Sequence, residues 1–190
     1  MKKRYLKPKI TSRKITSQLA SRRSLTDSFD GLLELDTSLL AVYCCGSACM
    51  PGDTRILLGN GDSRKISELG PGDTVLSWDI GKNTPAINTV AKVLKYQGKD
   101  GYILVNNILK LTPNHHVWVN HAEWDEAKRL KPGDIMRGPD GKDVRVVSLE
   151  KTEGSFKVYN LVMKHNNHNF FAENLLVHNA ERFLATSNCS

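Results

Sequence analysis

Through the middle of the chain, apolar residues come in short runs bounded by Gly, Asn or Asp. Thr74–Trp78, Thr89–Tyr96 and Tyr102–Leu111 read this way, as do Val144–Leu149, Phe156–Met163, Asn169–Ala172 and Leu175–Val177. All are rich in β-branched or aromatic residues, which fit a pleated surface, so each run predicts extended strand. Helix is predicted only as single short turns, over Arg64–Leu69 and Asp125–Leu130. Strands this frequent with so little helix predict an all-β fold with strongly bent sheets.

The pattern repeats once. At an offset of 61, Ile56-Leu57-Leu58 falls on Val117-Trp118-Val119, Leu69 on Leu130, and Pro71-Gly72-Asp73 on Pro132-Gly133-Asp134. Each copy reads as strand, polar turn, short helix, Pro-Gly-Asp turn, strand. One copy alone leaves an apolar face open, so two copies about a pseudo-twofold axis predict a single core.

Composition separates the ends from this middle. The net charge is +7, but residues 1–23 hold nine Lys/Arg and no acid, and the remainder carries 18 bases against 20 acids. Residues 1–48 are therefore expected to be a basic, largely disordered leader, and Ala180–Ser190 a short tail. A basic arm can contact nucleic acid or an anionic membrane by releasing counterions, though this one lacks an aromatic stacking pattern. The apolar stretch Gly31–Val42 is broken by Glu34 and Asp36, unlike a secretory signal. No run approaches the ~20 apolar residues of a membrane-spanning helix. Cys44, Cys45 and Cys49 are too close together to staple a fold, and no CxxC pair accompanies them. Neither metal nor cofactor is expected. A soluble chain in a reducing compartment, the cytoplasm, is the expectation.

Three polar clusters interrupt the strands: Cys49–Thr54, Leu111–His116 and Asn166–Ala180. A thiol, several imidazoles and an asparagine are what backbone cleavage without an outside nucleophile requires. Cysteine is partly thiolate near neutral pH, so Cys49 can attack the carbonyl of Ala48 and convert the peptide to a thioester. Thr112 and His115, three residues apart on one turn, can supply an oxyanion donor and a proton for the departing amine. At the other end, the Asn179 side-chain amide can attack its own carbonyl and release Ala180. His178 can polarise that carbonyl and His168 can take or give the proton.

In this order the motifs resemble those of Hint domains, the modules shared by inteins, bacterial intein-like domains and hedgehog autoprocessing domains. Cys49, Thr54, Ile56 and Gly72-Asp73-Thr74-Val75-Leu76 match the N-terminal motif. Thr112-Pro113-Asn114-His115 matches the central T-x-x-H. Val158-Tyr159-Asn160-Leu161, His168-Asn169-Phe170 and Val177-His178-Asn179 match the C-terminal motif. The resemblance implies a flat, horseshoe-like all-β Hint fold over residues 49–179, with both ends at its centre. Residues 1–48 and 180–190 would then flank it as extein-like segments. It further implies autocatalytic processing by an N–S acyl shift at Ala48–Cys49 and cyclisation of Asn179. The site residues would be Cys49, Thr112, His115, His168, His178 and Asn179, and the substrate the chain itself.

Two positions depart from the pattern. Inteins follow the terminal Asn with Cys, Ser or Thr; this chain has Ala180, which carries no nucleophile. The resemblance therefore leans toward bacterial intein-like or pretoxin-type Hint domains, with cleavage or acyl transfer to water, a thiol or an amine in place of complete splicing. Ser187 and Cys189 in the tail could accept an acyl group only through a large ring. Asn160 stands where many inteins have Asp, so a supporting hydrogen bond is expected there and no titration. Two alternatives are a catalytically inactive Hint-fold binding module and an HNH-type metal nuclease. The second rests on His165–Asn169, and it would need a helix where two strands are predicted.

Overall fold

The computed structural model describes residues 48–98 and 101–180. Most of the leader, with Cys44 and Cys45, and the tail after Ala180, with Ser187 and Cys189, lie outside the described residues. In chain order the strands are β1 (Met50–Pro51), β2 (Arg55–Leu57), β3 (Ser63–Lys65), β4 (Thr74–Asp79), β5 (Thr84–Gly98), β6 (Tyr102–Val105), β7 (Leu109–Leu111) and β8 (His116–Val119). They continue with β9 (Glu123–Glu126), β10 (Ile135–Arg137), β11 (Asp143–Arg145), β12 (Leu149–Thr152), β13 (Phe156–Met163), β14 (Asn169–Ala172) and β15 (Leu175–His178). One sheet has the order β1-β13-β5-β4, and a second runs β11-β10-β8-β15-β14-β2-β3 with β9 paired to β8. The third is β12-β6-β7. The fold is all-β, as the apolar runs predict. No helix among the described residues is long and apolar enough to cross a membrane.

The duplication is written in the backbone hydrogen bonds. Ile66 N–H donates to Thr54 O and Ala127 N–H to His115 O; Ser67 N–H donates to Gly52 O and Lys128 N–H to Pro113 O. Each pair is related by the offset of 61. The expected helical turns shrink to single 3-10 turns, Ile66–Glu68 and Ala127–Arg129, because the residues before them are drawn into β3 and β9. The Pro-Gly-Asp motifs are type II turns. Gly72 and Gly133 take φ of 96° and 103°, where a side chain would be strained. Asp73 and Asp134 close them, each accepting a backbone N–H through Oδ2 at 2.8 Å.

Two expected strands are divided. Tyr102–Leu111 becomes β6 and β7 because Asn106 and Asn107 both turn left-handed, with φ of 52° and 59°. Two such residues make the tight hairpin turn whose twist matches the flanking strands, and asparagine tolerates that conformation. Val144–Leu149 splits between β11 and β12. The Val147 N–H is taken by the Asn106 side chain at 2.7 Å, so it does not enter a ladder. Phe156–Met163 and Asn169–Ala172 form as read.

The core joins the two repeats. Ile56, Val75, Leu111, Val117, Leu161, Phe170 and Val177 belong to one buried cluster. The β14–β15 hairpin lies between β2 of the first repeat and β8 of the second. A buried amide locks it in place. Asn169 Oδ1 accepts Ser77 Oγ–H at 2.9 Å and Trp78 N–H at 2.8 Å, while its Nδ2 donates to Trp78 O at 2.9 Å and also to Asn167 O. Asn169→Ala strands the Trp78 peptide groups without partners, and is expected to cost about 2–3 kcal/mol in urea unfolding.

Candidate active site

Strand β13 positions two peptide junctions, Ala48–Cys49 and Asn179–Ala180. β1 pairs with it through Met50↔Tyr159 and Pro51↔Val158, which brings the incoming chain at Ala48–Cys49 alongside Asn160. Asn160 is 1% exposed, and its Nδ2 donates to the Ala48 carbonyl oxygen at 2.6 Å. Its Oδ1 accepts the Leu161 N–H at 2.7 Å, which fixes the amide with its donor end toward Ala48. One residue on, the Leu161 carbonyl accepts the Ala180 N–H at 2.9 Å. Two junctions far apart in sequence thus rest on consecutive residues of one strand.

Cys49 is 1% exposed, and Thr112 brackets its backbone. The Thr112 hydroxyl accepts the Cys49 N–H at 2.8 Å and donates to the Cys49 carbonyl at 3.1 Å. The Thr112 N–H donates to the same carbonyl at 2.9 Å. Thr112 therefore holds the peptide that carries the thiol, and the Ala48 oxygen accepts a hydrogen bond from Asn160.

His115 lies wholly buried, with backbone groups of Ala48 and His178 beside its ring. Burial, and next the neighbouring imidazoles of His178 and His116, push it from an ordinary 6.5 down to about 3; backbone groups of His178 and Ala48 pull weakly the other way. The ring is neutral near pH 7, with backbone of both junctions beside it. A neutral imidazole has one donor and one acceptor nitrogen, and can pass a proton on without holding a charge.

At the second junction, His178 Nδ1 lies 2.8 Å from Asn179 O. A carbonyl only accepts, so Nδ1 carries the hydrogen in this contact. Asn179 is 4% exposed, its N–H donates to His168 O at 2.9 Å, and its Oδ1 is buried without a partner. His168 is exposed, with φ of 38°, and its ring stacks on that of His178 at 6.3 Å and 14°. Cys49, Thr112 and Asn160 thus lie at Ala48–Cys49, His168, His178 and Asn179 at Asn179–Ala180, and His115 beside the backbone of both.

Neither a family model nor a curated protein matches the sequence. Solved structures do match the fold. The DnaB intein from Synechocystis sp. PCC 6803 aligns with a TM-score of 0.64 at 21% identity, covering 71% of this chain and 100% of that one. A bacterial intein-like domain from Clostridium thermocellum aligns at 0.65 and 22% identity, over 70% of this chain and 99% of that one. The gp41-1 intein aligns at 0.58 and 21% identity, over 70% and 99% respectively. The domain has the Hint fold.

Within this Hint fold, Asn160 and Trp124 both stand beside the junctions. Asn160 makes a supporting hydrogen bond of the kind expected, and its acceptor is the Ala48 oxygen. Trp124 belongs to none of the sequence motifs, and its ring lies 4.8 Å from that of His178. A lone tryptophan between Glu123 and Asp125 reads as one residue of a polar segment; only pairing with β8 turns it toward the site.

Proposed function

We propose that Cys49–Asn179 is an autoprocessing domain that opens its own backbone at Ala48–Cys49 and at Asn179–Ala180. The observation that carries the reading is the seating of both junctions on Asn160 and Leu161. At the first, Cys49 Sγ attacks the Ala48 carbonyl carbon. The C–S bond forms, the C–N bond breaks, and the thiol proton ends on the Cys49 amine by way of His115. Asn160 Nδ2 donates to the oxygen as it gains charge, and Thr112 holds the Cys49 peptide still. The thioester then passes its acyl group to water, a thiol or an amine.

At the second junction, Asn179 Nδ2 attacks the Asn179 carbonyl carbon and the bond to Ala180 breaks. The products are a succinimide and an amine that takes up the proton. His178 Nδ1–H donates to the carbonyl oxygen, and exposed His168 exchanges protons between His178 and water. Ala180 offers no side-chain nucleophile, so the two events end in cleavage or acyl transfer.

The test is the intact mass of the full chain over hours, with and without a small thiol. Loss of residues 1–48, faster with thiol, and loss of the peptide beginning at Ala180 are expected. A folded chain that keeps its full mass in both conditions refutes the activity and favours the inactive binding module. Asn160 gives a sharper measurement. Removing one donor from an oxyanion site costs roughly 100- to 1,000-fold in rate. Asn160→Ala should slow release of residues 1–48 by that factor, and tail release far less, because Ala180 rests on the Leu161 backbone.

A further inference from the structure

We propose that Trp124 is a positioning residue for His178, holding the imidazole in the plane from which Nδ1 reaches the Asn179 carbonyl. The inference rests on the autoprocessing reading of the second junction.

The rings of His116, His168 and Trp124 flank His178. Those of His116 and His168 have centroids 6.3 Å away, while Trp124 is at 4.8 Å and 84°, an edge-to-face contact. Such a contact favours one relative orientation of two rings, because the edge of one meets the electron-rich face of the other. Trp124 is itself held. It is the cross-strand partner of Trp118 on β8, and the two indoles meet at 5.3 Å and 69°. β8 also pairs with β15, through Val117↔Val177, so one strand fixes both the tryptophan wall and the strand bearing His178.

The restraint matters because His178 is only half-buried and borders open space. Its ring and that of Trp124 line a cavity of about 390 Å³, with Trp78 and His168 on other sides. An imidazole with room beside it can turn about its side-chain bonds, and a turned ring no longer points Nδ1 at the carbonyl.

The duplication supplies an internal comparison. At the offset of 61, Trp124 corresponds to Ser63, an exposed residue of β3 on the rim of the large sheet. By the same offset His115 corresponds to Thr54. The two repeats share their turns and backbone bonds, and at these two positions they differ where the second repeat meets the junctions.

The test uses the full chain and two readouts. Tail release in Trp124→Ala should slow roughly tenfold, while release of residues 1–48 keeps its rate. Trp124→Phe, which keeps an aromatic face, should restore tail release to within about twofold of wild type. The second readout needs no turnover. In a full chain carrying Asn179→Ala, the 15N signals of His178 should report hydrogen on Nδ1, and adding Trp124→Ala should shift them toward a mixture of tautomers. An unchanged tail-release rate with unchanged His178 signals overturns the proposal. So does equal slowing at both junctions with His178 signals unmoved, which would make Trp124 a packing residue only. Should the wild-type chain prove inert, the autoprocessing reading fails by itself, and the 15N signals still decide whether Trp124 sets the ring.

Discussion

In a full chain carrying Cys49→Ala, residues 1–48 should stay attached while the tail from Ala180 is still released; Asn179→Ala should give the reverse. Each substitution removes the atom that attacks, so the expected effect at its own junction is loss of the reaction. The independence of the other junction follows from separate supports. The Asn179 carbonyl is engaged by His178 and the Ala180 N–H by Leu161, and neither contact involves the Cys49 side chain. Conversely, the Ala48 oxygen is held by Asn160 and the Cys49 peptide by Thr112. Intact mass on the three chains, incubated side by side, reads both junctions at once. Loss of tail release in Cys49→Ala would mean that the steps are ordered and that the first must precede the second.

Acid should destabilise the fold through His115. Its folded pKa of about 3 lies below the ordinary 6.5, so between these values the unfolded chain binds a proton that the native ring refuses. Stability therefore rises with pH across this window, and is lost on acidification at about 1.4 kcal/mol per pH unit. Summed over the window this is about 5 kcal/mol, as large as the whole stability of many domains. Glu126 and Asp140 also favour the folded state when ionised, because lysine partners hold their carboxyls low, but their contributions fade only at lower pH. The comparison that isolates the imidazole is urea unfolding of wild type and His115→Gln from pH 7 to pH 4. The wild-type midpoint should fall the more steeply. Parallel slopes would mean that the ring accepts a proton within the fold.

The repeat and most strands were legible in the sequence because their signals are local. Phe156–Met163 forms the strand that its residue types predict, and the Pro-Gly-Asp turns name their own geometry. The division of Tyr102–Leu111 was also written locally, in Asn106-Asn107, but it lay inside an apolar run that masked it. The motifs named the candidate site residues. What each touches they did not give. Asn160 meets Ala48 across 112 positions, and Cys49 meets Thr112 across 63, and such meetings depend on strand register that no short stretch encodes. Trp124 acquires its neighbour in the same way, through the β8–β9 and β8–β15 pairings together.

The place of the last hairpin sets when the proposed site can assemble. β14 and β15 are the final strands of the domain, yet they lie inside the large sheet, between β2 and β8. During synthesis the first repeat and its cysteine emerge early, with no strand to join them to the second repeat. The sheet, and with it His178 and Asn179, is completed only when the end of the domain arrives. On the proposed reading, a growing chain would not open its own backbone until that hairpin is in place.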